Sequence, residues 1–186
     1  MELLDIRTKD GTVTGVVKER KQVHRDGDLH GTSHVWIVRK VENGNDQILL
    51  QKRAKNKDAY PGFYDISSAG HIPAGDDYKE SAIREMKEEL GIEAKEEELV
   101  FLGMHEGYFE EIFYGEIFKN HEISSVYLFT GNVTEDMLQL QEEEVESVRW
   151  MDLEECIRRI ENEEDGFCLP LDELQMLRRY LENKNL

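Results

Sequence analysis

Three glutamates, Glu85, Glu88 and Glu89, crowd into the run Gly70 to Ile92, GHIPAGDDYKESAIREMKEELGI. At helical spacing they lie on neighbouring turns, where like charges repel. A divalent cation is the simplest compensation. Ligands of carboxylate oxygen and water suit Mg²⁺, with Mn²⁺ as the alternative, better than zinc, which favours histidine or cysteine. The carboxylates alone fit a solvated acidic helix face equally well, so the pattern draws its meaning from its surroundings.

Those surroundings predict a helix over Tyr78–Leu90. Asp77 is placed to cap its first turn, with Glu80 three residues on as in a capping box, and Gly91 suits a left-handed C-terminal cap. Ile83, Met86 and Leu90, flanked by Ala82, make the face to be buried, and Glu85, Glu88 and Glu89 centre on another. Arg84 can reach Glu88 across one turn. Gly70 and Gly75 allow the preceding loop to turn tightly beside a ligand. His71 is a candidate ligand-facing residue.

The rest of the chain must position this helix. Leu3–Arg7 and Val13–Val17 read as strands, with Asp10-Gly11 as a hairpin turn. Residues 18–34 are polar and carry the main basic cluster. Val35–Val41 and Ile48–Lys52 form a second strand pair, joined around Asn43-Gly44. A short strand is predicted near Tyr64–Ser67. Strands over Phe101–Phe118 turn near Glu110-Glu111, and Ile123–Thr130 and Val145–Trp150 add further strands. Leu153–Glu161 and Leu171–Leu181 read as helices, the second opened by Pro170 and Asp172. Strands on both sides of a central helix, with more helix at the end, give a mixed α/β fold.

With 186 residues, 39% hydrophobic and 34% charged, the chain suits one globular domain over residues 1–186. Its formal net charge of −18 disfavours nucleic acid and anionic membrane. No apolar run reaches transmembrane length, and the first residues lack the pattern of a signal peptide. Cys156 and Cys168 form no disulfide framework, which fits a cytoplasmic setting.

These residues resemble the Nudix hydrolase box. That box runs glycine, five residues, glutamate, seven residues, Arg-Glu, an aliphatic residue, any residue, Glu-Glu, any residue, glycine and an aliphatic residue. Here it reads Gly70, Asp76, Arg84-Glu85, Met86, Lys87, Glu88-Glu89, Leu90, Gly91, Ile92. Asp76 replaces the usual glutamate, and Met86 is a mild departure. The resemblance implies a Nudix-like α/β/α sandwich with a mixed central sheet, an N-terminal hairpin and C-terminal helices. It further implies Glu88 and Glu89 as central metal ligands, Glu85 as a further ligand or the base that orients water, and Arg84 as the partner that fixes a helix carboxylate. A later glutamate often joins such a site; Glu122 is the candidate, with Glu142, Glu143 and Glu144 as rivals.

Three stretches, Ser33–Ile37, Leu49–Arg53 and Tyr64–His71, are similar to the branch containing isopentenyl-diphosphate isomerase. That enzyme carries a cysteine directly before the glycine-histidine pair. This chain has Ala69 there, and an alanine transfers no proton.

The expected reaction is therefore hydrolysis of a diphosphate bond in a nucleoside diphosphate linked to another moiety, with Mg²⁺ or Mn²⁺. The alternatives are isopentenyl-diphosphate isomerisation and noncatalytic diphosphate binding. Lys52, Arg53, Lys55 and Lys57 are candidates for the outer phosphates, and Gly70, His71 and His34 for substrate contact. His24 and His30 approach the substrate if their segment folds over the site. Tyr108, Phe109, Phe113, Tyr114 and Phe118 are available to stack on a base, though aromatics at strand period more often build core. The partner is a small diphosphate-containing molecule, and the sequence allows a homodimer.

Overall fold

A hairpin opens the chain, with β1 (Leu3–Arg7) antiparallel to β2 (Val13–Glu19). In the computed structural model, which describes residues 2–41 and 45–184, Gly11 takes a left-handed φ of 83° in the hairpin turn, as Asp10-Gly11 foretold. The basic segment then forms a helix that its polar sequence hid, α1 (Arg20–Asp26). Its seven residues are too few for a clear period. It is held by burying Val23 and His24 and is closed by Gly27 at φ 77°.

Strand β3 (His30–Lys40) begins five residues before the expected Val35. Residues 30–34 look like loop because they are polar, yet they are buried and partnered; Thr32 Oγ1, for example, lies 2.7 Å from Ser124 Oγ. β4 (Asp46–Arg53) pairs antiparallel with the end of β3. The Asn43-Gly44 connection lies outside the described residues. Two short strands, β5 (Tyr64–Asp65) and β6 (Ser68–His71), replace the one expected over Tyr64–Ser67. Between them, Ser67 Oγ donates to Leu49 O and accepts from Ile37 N, at 2.6 and 2.9 Å.

Helix α2 spans Tyr78–Leu90 as predicted. Asp77 accepts from Lys79 N, and Gly91 ends the helix at φ 73°. The reciprocal Glu80 bond of a capping box is not among its cap contacts. Met86 and Leu90 are fully buried, each stabilising the fold by about 1.5–3 kcal/mol, whereas Ile83 is only half-buried. Glu89, expected on the open face, is buried too.

The long hairpin of β7 (Leu99–Phe113) and β8 (Glu116–Phe129) turns at Tyr114-Gly115 rather than near Glu110-Glu111. Both turn residues have positive φ, 52° and 83°, as the tightest two-residue turn requires. β9 (Val145–Asp152) pairs antiparallel with β4, and α3 (Leu153–Glu161) and α4 (Leu171–Lys184) complete the order.

β3 is the spine of the sheet. It runs parallel to β8, from His30 opposite Glu122 to Ile37 opposite Phe129, and antiparallel to β6 on its other side. Strand alternation splits its side chains between two cores. Val35, Ile37, Leu49, Tyr127 and Phe129 pack with Ala82, Met86 and Leu90 of α2. Trp36, Ile48, Leu50, Val126 and Leu128 pack with Ile157 of α3 and Leu174 and Leu177 of α4. The result is an α/β sandwich with a mixed central sheet between helices.

Candidate functional site

The register of β3 aligns polar residues on the face that carries Trp36. His30 stands opposite Glu122, Thr32 opposite both His71 and Ser124, and His34 opposite Ala69. From β7, His105 stands opposite Ser124 and Gly107 opposite Glu122. A cavity of about 740 Å³ opens over this face and reaches around β6 to Glu85, Glu88 and Glu89 of α2.

Glu85 sits against Gly70. A Cβ at residue 70 would overlap the Glu85 carboxyl group, so glycine is required there by close approach. Burial raises the Glu85 pKa, and the neighbouring Arg84 guanidinium, 2.8 Å away, opposes that shift. Arg84 also donates to Glu88 Oε2 at 3.0 Å and to His71 O at 3.2 Å. One guanidinium thus ties two helix carboxylates to the loop. Glu89 is fixed from the sheet side: Ser68 Oγ and Ala69 N donate to its Oε2 at 2.7 and 3.2 Å. Burial pushes the Glu89 pKa up to about 8, an effect only partly offset by the Ser68 hydrogen bond.

A second donor set adjoins the same cavity, with His24 and His71 lining it and His30 buried beside them. The ligand atoms of His24, His30 and His71 lie within 4.8 Å of one another, the one such group of three or more among the described residues. Glu85, Glu88 and Glu89 line the cavity without forming a group that tight. The Nε2 atoms of all three histidines are buried without a hydrogen-bond partner. His24 Nδ1 faces Lys119 O at 3.1 Å and His30 Nδ1 faces Asp28 O at 3.0 Å. A carbonyl only accepts, so each Nδ1 carries a proton, which leaves Nε2 as the nitrogen available to a metal. Glu122 Oε1 is 3.9 Å from His30 Nε2. Burial, followed by the field of His30, lowers His24 to about 4 and His71 well below the ordinary histidine range. Three buried Nε2 atoms without a hydrogen-bond partner, beside a carboxylate, fit a metal ion, which takes imidazole nitrogen as a ligand.

Farther along β3, His34 Nδ1 lies 2.7 Å from Glu173 Oε1. His105 Nδ1 approaches the same oxygen at 3.2 Å, and Trp36 Nε1 donates to Oε2 at 3.1 Å. Burial disfavours charge on this pair, but each partner's charge overrides it. His34 rises to about 9, with smaller support from Glu122 and Asp65, and Glu173 falls to about 2.

The residues expected from sequence are thus placed unequally. Glu85, Glu88, Glu89, Glu122, Gly70, His71, His34 and Arg53 reach the cavity, whereas Lys52 and Arg84 do not line it, Arg84 acting through Glu85, Glu88 and the His71 carbonyl. Lys52 pairs with Glu146 at 2.8 Å because strand alternation sends it to the other side from its neighbour. Arg53 donates to Asp65 at 2.7 Å, and Lys57 pairs with Glu144 on the cavity rim. Of the aromatics, Tyr108, Phe109 and Phe118 line the cavity, while Tyr114 is exposed in its turn. His105 and Glu173 escaped the sequence reading. Their only signal was polar identity inside segments of strand and helix period, which becomes informative once the partners are known.

Comparison with known proteins agrees with this geometry. The NUDIX domain family matches residues 32–177. Nudix hydrolase 3 of Arabidopsis thaliana is 43% identical over 175 residues, covering 92% of this chain but only 22% of that protein. The chain therefore spans about a fifth of that relative. A Nudix hydrolase of Clostridium acetobutylicum is 36% identical over 165 residues, 89% of this chain and 77% of that protein. Isopentenyl-diphosphate Delta-isomerase of Escherichia coli is more distant, at 28% over 81% of this chain and 77% of that protein. A Deinococcus radiodurans crystal structure superimposes with a TM-score of 0.67 at 19% identity, covering 96% of this chain and 98% of that one, a likeness of fold. With its box helix, its sandwich and these relatives, the chain belongs to the Nudix family.

Proposed function

We propose that the protein is a metal-dependent hydrolase that cleaves the diphosphate bond of a nucleoside diphosphate linked to another moiety. The observation that carries this reading is the meeting of the α2 carboxylates with His24 and His71 in one cavity, where these two and the adjoining His30 each hold a buried Nε2 without a hydrogen-bond partner. His24, His30, His71 and Glu122 would hold one cation. This nitrogen-rich set suits Mn²⁺ or a later transition ion better than Mg²⁺. Glu85, Glu88 and Glu89 would supply oxygen ligands for Mg²⁺ or Mn²⁺ at the diphosphate. When bound, such cations neutralise phosphate oxygens and make a bound water more acidic.

The chain's own residues do the positioning. Arg84 sets Glu85 and Glu88 relative to the His71 carbonyl. Glu85, close against Gly70, would orient the attacking water and take its proton. Arg53 and Lys57 lie at the cavity for the outer phosphates. Isomerase chemistry is disfavoured because Ala69 occupies the motif position. Cys168 also lines the cavity, but burial holds its thiol pKa well above the usual value, and it donates to Tyr64 O at 3.4 Å.

The test is a mass-spectrometric screen of diphosphate compounds with Mg²⁺ or Mn²⁺. Product release should fall at least roughly tenfold when Glu88 and Glu89 are both changed to Gln, given what metal-ion catalysis contributes. Undiminished turnover in that variant would reject these roles. Tight binding without product would mark a noncatalytic domain.

A further inference from the structure

The His34–Glu173–His105 set belongs to neither the metal donors nor the α2 carboxylates, and the hydrolytic reaction leaves it unused. On one face of β3, His34 lies four residues beyond His30, a separation of ~13 Å at a strand rise of about 3.3 Å per residue. A diphosphate held between α2 and the histidine cluster would therefore send its attached group along β3 toward His34. The cavity lining includes the apolar Ile66, Ala69, Leu169 and Leu171 beside the polar Thr32, Asp65 and Asp172. His34 and His105 add two imidazoles to it. Both rings keep part of their surface open to the cavity, at 10% for His34 and 15% for His105.

Glu173 decides how those rings present themselves. Its carboxylate is fully buried and only accepts, so it fixes the proton on Nδ1 of both histidines. Nε2 is left as the second polar atom of each partly open ring. A buried carboxylate costs stability unless every contact to it is made. Trp36 completes its coordination, which makes the two rings rigid rather than adaptable. A hydrocarbon chain entering this space would strip water from both Nε2 atoms and return no hydrogen bond. A flat ring with a polar edge would cover the apolar wall and satisfy them.

We propose that His34 and His105, held by Glu173, form a specificity site that reads the polar edge of a planar heterocycle attached to the diphosphate and rejects a plain hydrocarbon chain. This rests on the hydrolase reading for what occupies the other end of the cavity. Sites built to hydrogen-bond a substrate group discriminate strongly against analogues that lack it.

The experiment compares ADP-ribose with geranyl diphosphate in the metal-loaded enzyme, for the unaltered chain and for His34→Leu, His34→Gln and Glu173→Gln. The unaltered enzyme should prefer ADP-ribose by at least about a hundredfold in kcat/KM. His34→Leu should raise KM for ADP-ribose about tenfold or more while kcat changes less than about threefold, and leave geranyl diphosphate unaffected or improved. His34→Gln, which retains an N–H donor, should recover most of the loss. In parallel, imidazole NMR of the metal-free protein should show the His34 and His105 signals moving with ADP-ribose and not with geranyl diphosphate. Equal use of the two compounds, or equal damage to both by His34→Leu and Glu173→Gln, would overturn the proposal and leave the set a structural clamp. If neither compound turns over, the hydrolase reading suffers, while the NMR comparison still decides this one: histidine signals that ignore ADP-ribose, or that answer to both compounds alike, count against it.

Discussion

His34 and Glu173 meet at 2.7 Å although 139 residues separate them in the chain, and they join the central strand β3 to the last helix α4. Their shifts give the fold a pH signature. The His34 pKa is raised to about 9, so its contribution is complete below the ordinary histidine value of 6.5 and fades as pH rises through 9. The Glu173 pKa is lowered to about 2, so its contribution is present above 4.5 and is lost as pH falls through 2. These are two views of one pair and count once. Urea unfolding should show falling stability between pH 6.5 and 9. Glu173→Leu alone should cost about 3–5 kcal/mol, since it leaves His34 buried without its partner. The double change to His34→Phe and Glu173→Leu should remove the alkaline decline. A decline of the same size in the double variant would place its cause elsewhere.

Gly70→Ala should separate activity from stability. The added methyl group overlaps the Glu85 carboxyl group and must push it from its place. Such overpacking costs about 1–3 kcal/mol. Turnover should fall at least roughly tenfold, because small displacements of a catalytic group are costly. Assays and thermal melts together check this, and normal turnover would show that the position of Glu85 is unimportant.

The histidine cluster should behave as a metal site independent of the α2 carboxylates. Metal analysis of the purified protein should find a transition ion that His30→Ala or His71→Ala loses and Glu85→Gln retains. Chelation should lower Tm, since an ion at about a hundred times its Kd stabilises by about 2.7 kcal/mol. Equal metal content in the histidine variants would contradict the assignment.

Neighbouring basic residues should differ. Lys52→Ala should leave KM within about twofold, because Lys52 spends its charge on Glu146 outside the cavity. Arg53→Ala should raise KM and destabilise the fold, because the buried Asp65 loses its partner. Similar KM values for the two variants would undo the distinction.

The α2 box was legible because helix caps, periodic apolar residues and spaced carboxylates are all local signals. Asp77 and Gly91 bound the helix where sequence placed them. Its burial pattern was less legible: Glu89 is buried because Ser68 and Ala69, distant in sequence, supply donors that compensate its desolvation. The same reason hid the start of β3. His30, Thr32 and His34 read as loop until Glu122, Ser124 and Glu173 give them partners. The histidine cluster joins α1, β3 and β6, so the spacing of His24, His30 and His71 holds no periodic clue. The turn at Tyr114-Gly115 was within reach, since Gly115 is the residue that most readily takes the positive φ of a tight hairpin.

The most direct trial of the central claim is the rate of diphosphate cleavage under defined metal supply, for the unaltered protein and for Glu85→Gln. Cleavage should vanish with chelator, return with Mn²⁺ or Mg²⁺, and drop at least about a hundredfold in Glu85→Gln with substrate affinity little changed. Cleavage that persists in chelator, or an unimpaired Glu85→Gln, would contradict the claim.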